Sequence, residues 1–277
     1  MEDHVNIVKN YYDSDVLMEW NRLEEHPYEF ELTVRMMNRY IKPGDSILDI
    51  GGGPGRYSLY FAGRGCDVTL LDLSSSNVNF ALKKAEELNV RLNGIVGDAR
   101  EVGELVSGSY DHVFIMGPMY HLLDEQDRAR AINSALPLLK EGGNLYVSFI
   151  LIFSGMIYSM KYKPEMIMGE AEGPFIDSVI RGDSYGGDAF TKAFFINQKG
   201  IMPFMERFPL KKLNLFGQEG IMSPCEENFL IQPREVVDKW LDVAEKLCER
   251  EEFLGYAEHA MYIGRKESHK PNPQGVE

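Results

Sequence analysis

The fold of this chain is decided by one stretch, Ile47-Leu48-Asp49-Ile50-Gly51-Gly52-Gly53-Pro54-Gly55-Arg56. Its apolar start predicts a buried strand, which contains an acidic residue and then breaks into a glycine loop. The spacing D-x-G-x-G-x-G is met by Asp49, Gly51, Gly53 and Gly55. Because glycine has no Cβ, such a loop can turn sharply and let a ligand contact the backbone. The helix predicted to follow directs its free N–H groups to the same place, which indicates a site for a small, nucleoside-like ligand.

Length and composition are those of an ordinary globular protein. The 277 residues suit one large domain or one domain with an elaborate insertion. The chain is 44% hydrophobic and 26% charged, and no stretch approaches the ~18–20 uninterrupted apolar residues of a membrane span. The formal net charge is −14 without a basic cluster, so DNA or RNA would be repelled. We expect a small-molecule substrate and no nucleic acid partner.

The cysteines and the N-terminus predict a cytoplasmic protein. Cys66, Cys225 and Cys248 are widely spaced and form no C-x-x-C pair, so they predict neither a zinc site nor a disulfide framework. No metal site is expected. The acidic start Met1-Glu2-Asp3-His4 lacks the apolar segment of a secretory signal. The oligomeric state is not predicted.

Strands and helices alternate in the first half of the chain. The predicted strands are 46–50, 67–73, 91–97, 112–117 and 144–151, and the predicted helices are 56–64, 75–88 and 124–140. Such alternation indicates βαβ units, and hence a parallel sheet with right-handed crossovers. Ligands of these sheets bind at the carboxyl ends of the strands.

The second half is rich in methionine and phenylalanine: residues 151–222 hold 7 of the 14 Met and 8 of the 15 Phe. The elements predicted there are a helix over 152–180, a glycine-rich turn over 182–188, an extended segment over 190–197, a short helix over 200–208, a strand over 211–217, a helix over 233–250 and a strand over 257–264. The last three would finish an open sheet with an antiparallel edge. The tail 267–277 is predicted to be disordered.

Two classes of cofactor use a glycine loop after the first strand. Dinucleotide sites prefer G-x-G-x-x-G or G-x-G-x-x-A, but the third small residue would here be Arg56 or Ser58, and neither fits well. Asp72, at the end of the second strand, is the acidic residue that both classes need for ribose hydroxyls. It therefore does not discriminate between them.

Four motifs in order resemble those of class I S-adenosylmethionine (SAM) dependent methyltransferases. The glycine loop is the first, and Gly97-Asp98-Ala99 at the third strand end is the second. The third, Tyr110-Asp111-His112-Val113-Phe114-Ile115-Met116-Gly117-Pro118-Met119-Tyr120-His121-Leu122, is similar to the F-D-x-V-x-x-x-G-P-L-Y-H-L block of a bacterial small-molecule branch (methyltransferase type 11-like). The fourth, 136–143, resembles the family's L-x-P-G-G turn, with Glu141 where proline is usual. The resemblance covers about residues 5–152 strongly and 190–266 weakly.

This resemblance implies an α/β fold with a Rossmann-like, doubly wound, mostly parallel sheet of seven strands, an antiparallel edge strand and an inserted lid subdomain. The expected parts are an N-terminal helical cap over the cofactor mouth (1–40), a SAM-binding core (41–152), an inserted lid or acceptor subdomain (153–209), a segment that completes the sheet (210–266) and the tail (267–277).

The resemblance also implies SAM as cofactor and S-adenosylhomocysteine (SAH) as product. Asp72 would bind the ribose hydroxyls, and Asp98 would accept a hydrogen bond from the adenine amine. Asp49 would organise the loop or also bind the SAM amino group. The predicted cofactor-binding residues are Tyr12, Arg22, Asp49, Gly51, Gly52, Gly53, Gly55, Asp72, Leu73, Asp98, Ala99, Met116 and Gly117.

Two residues of the N-terminal segment have alternative roles. Arg22 is a suitable partner for the SAM carboxylate or for an anionic substrate, but it could instead form a helical pair with Glu19 or His26. Tyr12 could close over the positively charged sulfonium or serve as a hydrophobic anchor.

His121 and Tyr120 are the candidate catalytic residues. His121 could accept a proton from a substrate nucleophile, or it could pack under the cofactor and orient the loop; Tyr120 has the same ambiguity. Methyl transfer is an in-line displacement, so alignment and exclusion of water suffice unless the acceptor must lose a proton. The predicted function is methyl transfer from SAM to O, N or S of a small, partly apolar metabolite. The alternatives are an NAD-dependent oxidoreductase and a non-enzymatic nucleoside-binding regulatory module.

Overall fold

The computed structural model describes residues 4–267, which contain nine strands in one sheet. The strands are β1 (Ser46–Ile50), β2 (Asp67–Asp72), β3 (Leu92–Val96), β4 (Tyr110–Ile115), β5 (Leu139–Leu151), β6 (Tyr185–Asp188), β7 (Lys192–Ile196), β8 (Leu210–Gly217) and β9 (His259–Lys266). The helices are α1 (His4–Ser14), α2 (Val16–Glu25), α3 (Pro27–Met37), α4 (Arg56–Gly63), α5 (Ser75–Glu87), α6 (Val102–Leu105), α7 (Pro118–His121), α8 (Glu125–Ala135), α9 (Ile152–Tyr162), α10 (Gly173–Arg181), α11 (Gln198–Met205), α12 (Glu227–Leu230), α13 (Arg234–Leu247) and α14 (Glu251–Leu254).

The sheet branches at its longest strand, β5. Along one path the order is β3-β2-β1-β4-β5-β7-β6, and β5 also pairs with β9, which pairs with β8. Strands β1 to β5 are parallel, whereas β9 is antiparallel to both β5 and β8. Because β9 occupies one edge of β5 as far as Ile150, β7 pairs with Ile150 and Leu151 along the other edge, beyond the end of β4.

Side chains of the central strands alternate between two apolar cores. In β1, the fully buried Leu48 and Ile50 pack into one core and Ile47 into the other. In β4, Val113 packs into the first of these cores and Phe114 into the second. Helix α8 covers the first core, and α3, α4 and α13 cover the second. Burial on both faces is the reason for the nearly continuous apolar run in β1.

The predicted α/β fold class is confirmed, with a mostly parallel central sheet and an antiparallel strand at one side. Strand β1 has the predicted bounds, and the other predicted parallel strands are present with shifted ends. The path from β3 through β5 and β9 to β8 contains the seven expected strands, and the antiparallel β9 lies second from its edge. The hairpin of β6 and β7 adds two further strands.

The helix predicted over 124–140 is shorter than expected. Helix α8 ends at Ala135, and β5 begins at Leu139. Pro137 contributes to the difference, because it has no N–H to continue the α-helical hydrogen bonds, and the chain passes through a 3-10 turn, Leu136–Leu138, before β5. Gly142 and Gly143, at the end of the motif 136–143, lie within β5.

The prediction of one helix over 152–180 is wrong. The chain forms α9 and α10, with the 3-10 segments Pro164–Met168 and Glu170–Glu172 between them. Pro164 cannot donate the hydrogen bond that would continue α9. The predicted glycine-rich turn, 182–188, contains strand β6, which pairs with β7.

Two expectations concern the membrane and the C-terminus. Within residues 4–267, no helix has both the length and the apolar character needed to cross a bilayer. The tail predicted to be disordered lies outside the described residues, apart from Glu267.

Candidate functional site

One cavity at the carboxyl ends of β1 to β4 gathers almost all of the predicted site residues. Those lining it are Tyr12, Arg22, Asp49, Gly51, Gly52, Gly53, Asp72, Leu73, Asp98, Ala99, Met116, Gly117, Tyr120 and His121. Gly55 is the exception, because it lies behind the loop at the start of α4, where a Cβ would be 2.9 Å from Cβ of Ala81. The predicted residues thus converge where open α/β sheets bind ligands.

The glycine loop places backbone rather than side chains against the cavity. Gly51 has a φ of +70°, and its N–H donates to the Leu71 carbonyl oxygen at 2.7 Å. A Cβ on Gly51 would lie 2.4 Å from Cδ of Pro118. Gly53 has a φ of +55°, but a Cβ there would meet no atom closer than Cγ of Glu19 at 4.0 Å. Packing therefore requires glycine at 51, whereas position 53 faces open space.

Asp72 ties this loop to the start of α5. Its Oδ2 accepts a hydrogen bond from the Gly53 N–H at 2.8 Å. Its Oδ1 accepts from the Ser74 N–H at 2.9 Å and from Nδ2 of Asn77 at 3.2 Å. Burial raises the pKa of Asp72, and these three hydrogen bonds act against that rise. Since a carboxylate offers about four acceptor positions, Asp72 retains capacity for a ligand hydroxyl.

Asp49 lies beneath the loop and is 2% exposed. The Ser58 hydroxyl donates to its Oδ2 at 2.7 Å, and a Cβ on Gly52 would lie 2.7 Å from the same oxygen. Burial raises the pKa of Asp49 to about 7; the Ser58 hydrogen bond opposes this shift and the charge of Asp72 adds to it. A cationic ligand group nearby would favour the ionised form of Asp49.

Asp98 is not an isolated acceptor at the end of β3. It accepts from the Arg100 N–H at 2.8 Å and from the Arg100 guanidinium at 2.7 to 3.2 Å. Burial raises the pKa of Asp98, but the hydrogen bonds and charge of Arg100 outweigh it and leave the pKa lowered. Asp98 is therefore a carboxylate, and an adenine amine would share it with Arg100.

Arg22 lines the cavity with its guanidinium already paired. Its Nε lies 3.1 Å from Oε1 of Glu19, and its Nη1 lies 2.6 Å from Oε2 of Glu29. The predicted helical pair with Glu19 is present, whereas His26 pairs with Glu226 at 2.7 Å instead. Any anionic ligand group at Arg22 would have to compete with two carboxylates.

The two candidate catalytic residues are both engaged by neighbours. Nδ1 of His121 lies 3.0 Å from the Lys192 carbonyl oxygen and must carry the proton, so Nε2 accepts from the Tyr12 hydroxyl at 2.8 Å. Burial lowers the pKa of His121 to about 4, which keeps the ring neutral near pH 7. The Tyr120 hydroxyl donates to Oγ of Ser148 at 2.7 Å, and burial raises the pKa of Tyr120.

The N-terminal helices are fixed to the core by contacts that the sequence did not predict. Both the Ser74 hydroxyl and the Ser76 N–H donate to Asp13 of α1, at 2.5 and 3.3 Å. Arg56 of α4 donates to the Trp20 carbonyl oxygen at 2.6 and 2.9 Å, and its guanidinium lies 3.7 Å from the centre of the Trp20 ring. In the sequence, Ser74 is recognisable as a helix cap and Arg56 as the start of a helix. Neither position predicts which distant residue it contacts.

A buried ionic group lies beside the cavity. Donor atoms of Glu29, Glu219 and His259 lie within 4.8 Å of one another, an arrangement that could hold a metal ion. Hydrogen bonds already engage several of these donor atoms. Arg22 donates to Glu29, and Nδ1 of His259 lies 2.6 Å from Oε1 of Glu219. Burial lowers the pKa of His259, but the charges of Glu29 and Glu219 outweigh it and raise the pKa to about 9.

Comparison with known proteins finds similarity to methyltransferases. Residues 47–143 match the family model described as a methyltransferase domain. A probable (S)-tetrahydroprotoberberine N-methyltransferase 2 from Papaver bracteatum is 36% identical over 89 residues, covering 31% of this chain and 24% of that protein. A ubiquinone biosynthesis O-methyltransferase from Xanthomonas campestris pv. campestris (strain B100) is 34% identical over 110 residues, covering 40% and 45%. The chain spans less than half the length of these curated relatives.

The fold is similar to that of a solved structure. Magnesium protoporphyrin IX methyltransferase from Synechocystis PCC 6803, crystallised with bound SAH, superimposes with a TM-score of 0.57 at 15% identity. The superposition covers 96% of this chain and 100% of that one. At this identity the likeness shows the fold. Residues 47–143 are thus similar to a methyltransferase domain, and the chain shares its fold with a methyltransferase that was crystallised with SAH.

Proposed function

We propose that this chain is a SAM-dependent methyltransferase that acts on O, N or S of a small, partly apolar metabolite. The observation that carries the proposal is the hydrogen bond from the Gly53 N–H to Asp72, which shapes an open backbone cradle at the strand ends. A ligand the size of a nucleoside can contact the loop at Gly53, where a Cβ would have no neighbour closer than Cγ of Glu19 at 4.0 Å.

The lining residues fit the parts of SAM. Asp72 and Leu73 would hold the ribose, and Asp98 and Ala99 the adenine. Asp49 and the loop residues would hold the amino acid part, with Met116 and Gly117 opposite them. SAM supplies a methyl group already activated by its sulfonium. The protein's contribution is then to bind, to orient and to exclude water.

Neither His121 nor Tyr120 is suited to act as a strong base. With a pKa of about 4, His121 is a weak acceptor, and its Nε2 already binds the Tyr12 hydroxyl. The raised pKa of Tyr120 disfavours its phenolate. These features favour the packing role for His121, and they favour an acceptor that reacts without losing a proton to the enzyme, such as a neutral amine or a thiolate.

We assign the acceptor region to the side of the cavity that faces the insertion, 153–209. The ring centre of Phe190 lies 6.0 Å from that of His121 and 6.1 Å from that of Tyr11. The insertion therefore reaches the N-terminal cap, 1–40, next to the cavity. Apolar walls with few polar groups are typical of small-molecule sites.

The proposal is tested by incubating the chain with SAM and separate panels of amines, thiols and phenols, and measuring SAH by mass spectrometry. We expect one class to raise SAH formation at least about tenfold above the rate without acceptor, and Asp72→Ala to reduce the increase at subsaturating SAM. Binding of SAM without turnover in any panel would favour a regulatory module, and a thermal shift with NAD but not SAM would favour an oxidoreductase.

A further inference from the structure

Asp98 faces the cavity at the strand ends, while the residue that binds its carboxylate, Arg100, stands outside the lining. Asp98 follows β3 and caps the 3-10 segment Ala99–Glu101, since its Oδ1 accepts from the Arg100 N–H at 2.8 Å. The Asp98 side chain is 18% exposed. A ligand in the cavity can therefore reach this carboxylate directly, whereas Arg100 can influence the ligand only through Asp98.

The Arg100 side chain binds the same carboxylate through two nitrogens. Its Nε lies 3.1 Å from Oδ1 and 3.2 Å from Oδ2 of Asp98, and its Nη2 donates to Oδ2 at 2.7 Å. Because a guanidinium is planar and its N–H groups are fixed in direction, such a contact sets the orientation of the carboxylate as well as its charge.

Arg100 is also anchored on its other side. Its Nη1 donates to Oδ2 of Asp127, on α8, at 2.9 Å. The hydrogen bonds and charge of Asp98 outweigh burial and raise the pKa of Arg100, so the guanidinium stays charged. Since it joins carboxylates on two different elements, Arg100 cannot turn away from Asp98 without also losing its contact with Asp127.

These contacts leave little free capacity on Asp98. A carboxylate offers about four acceptor positions, and the Arg100 N–H, Nε and Nη2 use three of them. The remaining position suits one N–H donor and repels a carbonyl oxygen. The 6-amino group of adenine is such a donor, whereas a purine with hydrogen at that position has none to offer.

We propose that Arg100 is a positioning residue that makes the cavity select a purine with a 6-amino group. The inference rests on the proposed function, in which Asp98 receives the adenine amine. Arg100 holds the Asp98 carboxylate in one orientation before the ligand arrives, so that the cost of ordering this side chain does not reduce the affinity.

The test is calorimetry of the full chain with SAH and with an SAH analogue that carries hydrogen in place of the 6-amino group. The ratio of the two dissociation constants measures the contribution of the amine, and general damage to the fold would weaken both ligands and leave this ratio unchanged. We expect the parent to bind SAH at least about tenfold more tightly than the analogue. Arg100→Met should reduce this preference to about twofold, because it weakens SAH alone.

Arg130→Met is the matched control for the loss of a positive charge. Burial raises the pKa of Asp98, and the charges of Arg100 and Arg130 both oppose that rise. Within residues 4–267, however, Arg130 donates no hydrogen bond to Asp98 and lies 3.7 Å from Oε1 of Glu101. Arg130→Met should therefore keep the preference of the parent. A loss as large as that in Arg100→Met would assign the effect to charge and overturn the positioning role.

Further variants show whether Arg100 acts through Asp98. In Asp98→Asn the preference for SAH should already be lost, and Arg100→Met added to it should change the ratio by less than about twofold. If Arg100→Met proves unstable in thermal unfolding, Asp127→Asn decides, because it removes the anchor of Arg100 and should lower the preference at least about threefold.

The outcomes separate this inference from the proposed function. If the parent prefers SAH and Arg100→Met keeps the full preference, the positioning role is overturned while binding of SAH stands. If the folded parent does not bind SAH, the proposed function and this inference are both overturned.

Discussion

The Tyr12 hydroxyl donates a 2.8 Å hydrogen bond to Nε2 of His121, which joins two residues 109 positions apart in the chain. His121 is fixed from its other side by the Lys192 carbonyl oxygen at 3.0 Å. Helix α1, the segment after β4 and the start of β7 therefore meet at one imidazole ring. We propose that this contact holds α1, and with it the N-terminal cap, against the cavity proposed for SAM.

Removing that hydroxyl should loosen the cap. In Tyr12→Phe the ring remains but Nε2 of His121 loses its donor, and one hydrogen bond is worth about 1 kcal/mol. We expect SAH to dissociate about fivefold faster, measured by stopped-flow fluorescence of Trp20, which packs on α4. Tyr11→Phe is the control, since within residues 4–267 the Tyr11 hydroxyl donates only to Sδ of Met18, at 3.8 Å. Equal dissociation rates for Tyr12→Phe and the parent would show that the contact does not hold the cap.

Alanine variants of two glycines distinguish the effect of backbone strain on stability from the effect of a side chain that obstructs the cavity. Gly44 and Gly53 have φ values of +92° and +55°, and neither would bring a Cβ closer than 4.0 Å to a neighbour. Gly44→Ala and Gly53→Ala should thus each lower the free energy of unfolding by about 1–2 kcal/mol. Only Gly53→Ala places a methyl group at the cavity, so it alone should weaken SAH at least about tenfold in calorimetry. Similar affinity in both variants would argue against ligand contact at Gly53.

Stability should depend on pH through His259. Its pKa is raised from 6.5 in the unfolded chain to about 9 in the folded one by Glu29 and Glu219, which outweigh the effect of burial. The stabilisation is therefore complete below pH 6.5 and is lost as the pH rises through about 9. Denaturant unfolding between pH 6 and 9.5 should show this decline in the parent and in His4→Gln, whose exposed histidine serves as control. A decline of the same size in His259→Gln would assign it to other groups.

The parts of the site that local sequence specifies were predictable. Strand β1 and its loop follow from an apolar run buried on both faces and from glycines that the turn requires at 51 and 53. Asp72 and Asp98 follow from their places at strand ends. Their convergence on one cavity is a consequence of parallel strands, whose carboxyl ends share one edge of the sheet.

Long-range partners were not predictable in this way. Arg22 pairs with Glu29 because α2 ends before Pro27 and α3 begins there, which brings residues of two helices together. The spacing of charges within one helix does not predict such a pair. Glu29, Glu219 and His259 come together from three distant segments. In contrast, the break of the helix at Pro137 had a local signal, and the prediction gave too much weight to the helical pattern around it.

We propose above all that the cavity at the ends of β1 to β4 binds SAM and its product. Calorimetry with SAH tests it most directly, on the full chain and on Asp72→Ala. We expect one binding site in the parent and a loss of about 1–3 kcal/mol of binding free energy in Asp72→Ala, from the missing hydrogen bonds to the ribose and to the Gly53 N–H. No binding of SAH by the folded parent, or equal affinity in Asp72→Ala, would contradict it.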